Sequence, residues 1–339
     1  MTQTLTDLDA VQERVGKLPA PRDLKVITYL DAHAKRWLSL STLGVVATGR
    51  GASLESTLCG GDSGFVRVNH DRQFAVSQSQ FDESALDPGS FSAGDAFASL
   101  FFVPGMTETL RVNGVVEEDA AGDVRFTVRE CYLHCGKALL RSEFWRAEPA
   151  SVVPAEDDEL LASARLLMLG SMSADGEADV SPKGDPAGSL LIRDGDFVSF
   201  PDRPGNRRID SFRNILTQPY VSLLVLTPGI SQVMRITGKA QISGAEEFRA
   251  AFAVKDKVPK LVTRVKIERL DRWESDVIER AKPWPPAAPP EDLRAAEIFK
   301  DHIKLSGERG VGASVARAAV SVPGVMKRGL ESDYYKNLY

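Results

Sequence analysis

The sequence is poor in the two side chains that most often form disulfides or bind metals. Its three cysteines and four histidines are Cys59, Cys131, Cys135, His33, His70, His134 and His302. Three cysteines cannot form a disulfide framework, and the histidines are scattered along the chain, so we expect no metal site. A reducing compartment, the cytoplasm, is the simplest location for such a chain.

Long hydrophobic runs and an excess of positive charge are also missing. The longest apolar runs, such as residues 221–226, have the length of a strand and are too short for a membrane span. The first residues lack the basic and apolar stretches of a secretory signal. The net charge of -5 argues against nucleic acid as a partner, because phosphate binding needs a basic field. A local basic pocket for one small anion is compatible with this charge.

The 339 residues exceed what one ordinary core organises, so two domains are expected. Residues 38–146 and 161–285 both contain short apolar runs separated by Gly, Asp, Ser and Asn, which is typical of an antiparallel barrel. Residues 1–37 predict helices over 8–22 and 23–37, and residues 130–145 predict another. Residues 147–160 form a predicted linker, and residues 286–339 a predicted helical tail. Strands are expected within residues 43–47, 65–68, 97–103, 109–115, 124–128, 166–170, 190–192, 197–200, 221–226, 233–237 and 265–270.

The two barrel-like regions carry an internal repeat. Residues 102–114 and 226–238 align without a gap, 124 residues apart, with Pro, Gly, Arg and Gly at equivalent positions. Residues 61–63 stand beside 184–186, and Arg141 and Trp145 stand beside Arg280 and Trp284. Three matched blocks in the same order favour a tandem duplication.

The residues best suited to bind an anion cluster in the second copy. Residues 200–214 leave a strand, turn at Pro-Gly-Asn and begin a helix, whose first backbone N–H groups favour an anion. Arg207 and Arg208 add two guanidinium groups that match a phosphate. Lys183 adds a third cation, and Ser181 and Ser211 add hydroxyls. The alternative interpretation is a solvated basic turn.

Three blocks of this copy are Ser-Pro-Lys-Gly-Asp-Pro at 181–186, Pro-Asp-Arg-Pro-Gly-Asn-Arg-Arg at 201–208 and Leu-Val-Leu-Thr-Pro-Gly at 224–229. They resemble the pyridoxamine 5'-phosphate oxidase-like FMN-binding split-barrel family. Residues 130–145 resemble the C-terminal segment of the same family, and the whole resemblance covers about residues 35–285. It implies a mainly β chain of two tandem split barrels with flanking helices. It also implies FMN at a barrel interface, with phosphate contacts from one barrel and further flavin contacts from the other.

The chain departs from this family because the two copies divide the family's blocks between them. The second copy keeps the phosphate loop, and the first keeps residues 106–111 and the terminal segment. In the first copy, the positions of Arg203, Asn206, Arg207, Arg208 and Ser211 are occupied by Ser79, Asp82, Glu83, Ser84 and Asp87. These carboxylates would repel a phosphate. Asp276 of the second copy likewise stands at the position of Lys137. We therefore expect an intramolecular pseudo-dimer with one composite FMN site.

The resemblance implies roles for individual residues. Cofactor contacts at the phosphate are expected from Ser181, Lys183, Arg203, Asn206, Arg207, Arg208 and Ser211. Lys137, Arg141 or Arg111 would lie near the flavin ring or ribityl chain, where a cation stabilises the reduced anion. Trp145 either packs beside the flavin ring or belongs to the apolar core. Glu108 either faces the site or lies on a strand surface.

The leading functional hypothesis is an FMN-dependent oxidoreductase for a small-molecule substrate, with NAD(P)H or O2 as redox partner. One alternative is a non-catalytic module that binds flavin or haem, and another is an interaction scaffold without a cofactor. The family does not fix the substrate, and a homodimer of the fused unit stays open. Cys131 and Cys135 would share a helix face, but two small buried residues are favoured over a redox pair or metal site.

Overall fold

A computed structural model describes residues 4–16, 24–82, 85–87, 89–117, 122–150, 152–205 and 207–339. The chain is mainly β, with two antiparallel sheets and several helices. The first sheet contains β2 (Leu43–Arg50), β3 (Ser53–Gly60), β4 (Val66–His70), β5 (Gln73–Ser77), β6 (Ala96–Phe102), β7 (Thr109–Val116) and β8 (Asp123–His134). Its strand order is β3-β2-β6-β7-β8-β5-β4. We call this sheet and its helices, residues 38–146, the first barrel.

The second sheet contains β9 (Leu166–Met172), β10 (Ala178–Gly184), β11 (Ile192–Asp194), β12 (Phe197–Pro201), β13 (Tyr220–Leu226), β14 (Gln232–Ser243) and β15 (Val262–Glu274). Its strand order is β10-β9-β13-β14-β15-β12-β11. Numbered within its own copy, each strand has the same neighbours as its counterpart in the first barrel. We call residues 161–285 the second barrel. The shared strand order supports the tandem repeat inferred from the sequence.

A matched irregularity reinforces this equivalence. The ladder of β7 and β8 shifts register between Asn113 and Gly114, and that of β14 and β15 shifts between Thr237 and Gly238. A Cβ atom at Gly114 would lie 1.9 Å from the carbonyl oxygen of Thr127, and one at Gly238 would lie 2.0 Å from that of Lys266. Only glycine fits where the backbones approach so closely. The repeated glycine is therefore a requirement of the repeated bulge.

Each barrel has its own apolar core, and a third core joins them. Phe74, Phe97 and Phe126 belong to the core of the first barrel, whereas Leu223 and Ile236 belong to that of the second. The third core combines side chains of both sheets, including Val45, Leu58, Leu100, Met168 and Leu224. Because burial of apolar area drives association, the two barrels form one body with a shared interface.

The helices before the first barrel differ from the predicted ones. α1 (Leu8–Val15) lies within the expected range 8–22, of which residues 17–22 fall outside the described chain. α2 (Ala32–Leu40) begins well after residue 23, because the Asp31 carboxylate caps it by accepting a hydrogen bond from Ala34 N at 2.8 Å. The sequence did not predict β1 (Thr4–Leu5), which pairs with β14 of the second barrel.

The helix predicted over residues 130–145 is wrong for its first half. β8 continues to His134, and α3 is short (Lys137–Arg141), followed by a 3₁₀ turn over Phe144–Arg146. Cys131 and Leu133 face the first barrel's core, and Tyr132 on the opposite face is also buried. A strand buried on both faces loses its alternating pattern, so the run looked helical. Cys131 and Cys135 consequently do not share a helix face.

The remaining helices are α4 (Asp157–Ser163), α5 (Asp210–Thr217), α6 (Glu246–Ala250), α7 (Asp276–Ala281), α8 (Ala295–Leu305), α9 (Val311–Ser321) and α10 (Val325–Lys336). α4 occupies part of the predicted linker and the start of the second barrel. Ile298 and Phe299 of α8 pack into the first barrel's core. In the described ranges, every helix is too short or too polar to cross a membrane.

Candidate functional site

A cavity of about 420 Å³ lies where α3 of the first barrel meets β10 and the loop before α5 of the second. The sequence-predicted residues that line it are Lys137, Arg141, Ser181, Lys183, Arg203, Arg207, Arg208 and Ser211. The structure therefore brings together predicted residues from both copies. Asn206, another predicted contact, lies outside the described residues.

The cavity is strongly basic although the chain is acidic. Among the described residues, eight lysines and arginines and three aspartates line it. The cations are Lys137, Arg141, Lys183, Arg203, Arg207, Arg208, Lys257 and Lys260, and the carboxylates are Asp185, Asp202 and Asp333. The whole chain carries a net charge of -5. Positive charge is thus concentrated at one concave place, which favours an anionic ligand.

A glycine lets the two barrels approach each other at the cavity. A Cβ atom at Gly184 would lie 2.0 Å from the carbonyl oxygen of Ala138 in α3, so a larger residue would push α3 away. Arg141 Nε donates to the Gly184 carbonyl oxygen at 2.8 Å, and Arg141 Nη1 donates to that of Pro204 at 3.2 Å. Arg141 therefore ties α3 both to β10 and to the loop that carries the predicted phosphate contacts.

Arg203 is held by a buried carboxylate. Its Nε donates to Asp185 Oδ2 at 2.7 Å, and Arg141 Nε lies 3.8 Å from Asp185 Oδ1. Burial raises the pKa of Asp185 above its ordinary value, and the two guanidinium groups oppose that rise. The main contact of Arg203 is thus within the protein, where it fixes the loop, although the residue also lines the cavity.

The two predicted serines are oriented by Asp179, which sequence reasoning missed. The hydroxyls of Ser181 and Ser211 donate to Asp179 Oδ2 at 2.8 and 2.9 Å. Asp179 pairs with Arg111 of the first barrel, and Arg111 also donates to the Val180 carbonyl oxygen at 2.6 Å. Arg111 does not itself line the cavity in the described structure. It lies one layer behind the lining and contacts it through Asp179 and through a hydrogen bond from its Nη2 to Ser181 Oγ at 3.3 Å. No motif distinguishes this aspartate in the sequence.

The other predicted phosphate cations are Arg207 and Arg208 of the loop and Lys183 of β10. Arg208 Nε donates to Asp210 Oδ2 at 2.7 Å, and its Cζ lies 4.8 Å from the centre of the Tyr132 ring. Lys183 Nζ lies 3.4 Å from Asp202 Oδ1. Arg207 is exposed, with a left-handed φ of 58°. The three side chains line the cavity beside the start of α5, as the sequence predicted.

Glu108 and Trp145 lie outside the described lining of the cavity. The Glu108 carboxylate is buried and accepts a hydrogen bond from the Tyr334 hydroxyl at 2.8 Å. Trp145 Nε1 donates to the Met106 carbonyl oxygen at 2.5 Å, and its ring centre lies 4.7 Å from that of Phe144. Trp145 thus packs against the interface core. This placement favours the core interpretation over a wall of the ring site.

His134 and Cys135 line the cavity, although neither was predicted to bind the cofactor. Burial holds the pKa of His134 well below its ordinary value, with the charges of Arg111 and Lys25 acting in the same direction. The imidazole is therefore neutral at neutral pH. Cys135 is partly exposed, whereas Cys59 and Cys131 are fully buried.

The equivalent place on the other side of the interface has carboxylates where the cavity has predicted phosphate contacts. Asp82 stands at the position of Asn206, and its carboxylate accepts hydrogen bonds from Val277 N at 3.0 Å and Ser275 Oγ at 2.7 Å. Asp87, at the position of Ser211, pairs with Arg269 at 2.6 Å. Glu83 and Ser84 lie outside the described residues. The Asp82 carboxylate thus contacts the start of α7, which is the counterpart of α3.

Comparison with protein families gives a match over most of the second barrel. Residues 153–274 match the family model of pyridoxamine 5'-phosphate oxidase. The match covers about a third of the chain, and this part is similar to that family. It contains every cavity residue that the second barrel contributes through β10, the loop and α5. A comparison with curated proteins gave no match.

Several solved structures resemble about a third of the chain. HupZ from Group A Streptococcus is 21% identical with a TM-score of 0.29, and the match covers 37% of this chain and 96% of HupZ. A putative pyridoxamine 5'-phosphate oxidase from Lactobacillus delbrueckii is 20% identical with a TM-score of 0.28, covering 35% and 93%. HutZ, a heme storage protein from Vibrio cholerae, is 13% identical with a TM-score of 0.24, covering 34% and 90%.

Proposed function

We propose that the chain binds one FMN in the basic cavity between the two barrels and acts as an FMN-dependent oxidoreductase. The observation that carries this proposal is the composition of the cavity. It joins the loop of the pyridoxamine 5'-phosphate oxidase-like segment to Lys137 and Arg141 of the other barrel.

The residues present fit the chemistry of FMN. The cavity volume of about 420 Å³ lies within the range of about 300–1,000 Å³ that is usual for cofactor sites. Arg207, Arg208 and Lys183 would bind the phosphate, with the hydroxyls of Ser181 and Ser211 as further donors. Lys137 and Arg141 would supply positive charge that stabilises a reduced, anionic flavin. FMN, when bound, supplies two-electron transfer between a small-molecule substrate and NAD(P)H or O2.

The stoichiometry follows from the asymmetry of the interface. The equivalent place beside α7 contains Asp82 and Asp87, whose carboxylates are engaged by Ser275 and Arg269. A phosphate there would meet two carboxylates rather than the arginines of the intact loop. We therefore expect one FMN per chain.

A non-catalytic module that binds flavin or haem is the second candidate. His134 favours haem, because a neutral imidazole that lines a cavity is a suitable ligand for haem iron. The absorbance spectrum and mass of the copurified ligand discriminate between the two cofactors. A bound flavin that NAD(P)H reduces and O2 reoxidises repeatedly supports the enzyme, and an inert flavin supports the module.

The decisive measurement is the ratio of FMN to protein after gentle purification, with the ligand identified by its spectrum and mass. A ratio of one is expected. A ratio of two would contradict the asymmetry of the two sites. A protein that neither retains nor rebinds FMN would contradict the proposal as a whole.

The phosphate contacts are tested by comparing FMN with riboflavin, which lacks the phosphate. The Arg207→Ala/Arg208→Ala variant loses two charge-assisted contacts, so its FMN affinity should fall about 100-fold or more. Its riboflavin affinity should stay within about threefold of the wild type. Arg213→Ala, an exposed arginine on α5 outside the cavity lining, is the matched control. An equal loss for both ligands would place the phosphate elsewhere.

A further inference from the structure

Residues 331–339 cover the α3 side of the basic cavity. They include the second half of α10, and Asp333, Asn337 and Tyr339 line the cavity. Within α10 no residue is fully buried. Met326 and Leu330 pack partly against the first barrel's core and anchor the first half of the helix. The second half is therefore held mainly by polar contacts.

These polar contacts engage a compact set of first-barrel groups. Asp333 Oδ2 lies 3.0 Å from Lys137 Nζ. The Tyr334 hydroxyl donates to Glu108 Oε1 at 2.8 Å and accepts a hydrogen bond from Gly136 N at 2.9 Å. The buried Glu108 carboxylate therefore has its partner in this segment, and it does not line the cavity.

Two further contacts carry the segment across to the second barrel. The carbonyl oxygen of Leu338 accepts a hydrogen bond from Arg141 Nη1 at 2.9 Å. The Tyr339 ring centre lies 5.7 Å from Arg203 Cζ and 5.5 Å from Lys255 Nζ. The segment therefore bridges both barrels over the side of the cavity where Lys137 and Arg141 lie.

We propose that residues 331–339 form a strap that opens and closes this side of the cavity, and that ligands exchange while the strap is detached. Detachment breaks hydrogen bonds and an ion pair, which water replaces at small net cost. The exposed turn at Gly324 and the anchors Met326 and Leu330 stay in place. The proposal rests on the proposed function only for the identity of the ligand, FMN.

Competition for cations gives the strap its sensitivity to ligands. The Lys137 side chain is only 2% exposed, and Asp333 satisfies its charge. An anionic group that approached Lys137 or Arg141 would replace Asp333 or the Leu338 carbonyl as partner. The strap thus keeps both cations paired without a ligand and releases them when it opens.

Cys135 is a natural reporter of strap opening. The residue is partly exposed, lines the cavity and directly precedes Gly136, whose N–H donates to the Tyr334 hydroxyl of the segment. Cys59 and Cys131 are fully buried, and burial raises the pKa of both thiols, so they should react slowly. Dithiobis(nitrobenzoate), an anionic thiol reagent suited to a basic cavity, measures access to Cys135 in the full chain without any flavin.

The variants Asp333→Asn and Tyr334→Phe each remove a strap contact. Each should raise the labelling rate of Cys135 about tenfold. The matched control is Glu331→Gln, which removes an exposed carboxylate of the same helix that pairs only loosely with Lys327, at 3.9 Å. It should label at the wild-type rate. Circular dichroism checks folding, and Tyr334→Phe carries the test if Asp333→Asn does not fold.

The dissociation rate of FMN, followed by flavin fluorescence after dilution, should rise by a similar factor in both strap variants. Equal labelling rates in the strap variants and Glu331→Gln would overturn the strap. Faster labelling with unchanged FMN dissociation would overturn its control of ligand exchange. Faster labelling in a protein that binds no FMN would leave the strap as the control of access to the cavity and contradict the proposed function alone.

Discussion

Arg111 of β7 and Asp179 of β10 form an ion pair across the barrel interface, with side chains only 1% and 5% exposed. Asp179 also accepts the hydroxyl hydrogen bonds of Ser181 and Ser211. The buried Arg111–Asp179 pair therefore links the assembly of the two barrels to the orientation of Ser181 and Ser211 in the cavity.

Replacement of Arg111 by methionine should be strongly destabilising. The Arg111→Met change leaves Asp179 buried without its cation, and the free energy of unfolding should fall by about 3–5 kcal/mol. Urea denaturation measures this loss. Arg67→Met breaks an ion pair with Asp123 in which Arg67 is 56% exposed, and should cost less than about 1 kcal/mol. Similar losses in the two variants would contradict a special role for the buried pair. The double variant Arg111→Met/Asp179→Asn should regain part of the loss, because no unpaired charge remains.

The fold was predictable where a strand is apolar on at least one face. β2, β6, β9 and β13 lie close to their expected positions because their apolar runs are long. β3, β5 and β10 were missed, and the short apolar run of β5 (Gln73–Ser77) gave no signal although β5 lies inside its sheet. β3 and β10 end their sheets and contain residues that are unfavourable inside a sheet, the charged Glu55 in β3 and Pro182 in β10. Proline is tolerated on an edge strand, so neither sequence resembled a strand of a sheet interior.

The site was predictable where its residues are contiguous in sequence. Lys183, Arg207 and Arg208 lie in two short blocks with a recognisable pattern, and the structure places them around one cavity. Asp179 and Tyr334 were missed because their roles depend on partners far away in sequence. Arg111 is 68 residues from Asp179, and Glu108 is 226 residues from Tyr334. No local spacing reveals such contacts.

The carboxylates at the counterpart of the cavity lead to a prediction about Asp82. Its carboxylate accepts hydrogen bonds from Val277 N, Ser275 Oγ and Trp273 Nε1 at 2.7–3.0 Å. Asp82→Ala should lower the free energy of unfolding by about 1–3 kcal/mol, because these donors lose their acceptor. The FMN content should remain at one per chain. Asp62→Ala, in an exposed turn, is the control. A variant that gains a second FMN, or keeps its full stability, would contradict this account.

His134 should make stability depend on pH below neutrality. Its pKa is held well below 6.5 in the folded chain, first by burial and then by Arg111 and Lys25. The unfolded chain therefore takes up a proton near pH 6.5, whereas the folded chain does so only at lower pH. The contribution of His134 to stability is fully present above about pH 6.5 and is lost progressively as the pH falls from there towards the lower pKa of the folded chain.

Unfolding in urea at about pH 7.5 and about pH 5.5 measures this loss, at most about 1.4 kcal/mol per pH unit for one proton. The slope should be smaller in His134→Gln, whose side chain does not titrate, and unchanged in His70→Gln, which replaces an exposed histidine. Burial raises the pKa values of Asp185 and Glu130, which gives the opposite slope. Their effect is common to all three proteins and cancels when the slopes are compared. Equal slopes in the wild type and His134→Gln would mean that the pKa of His134 is the same in the folded and unfolded chains, and would remove the argument for a neutral imidazole in the cavity.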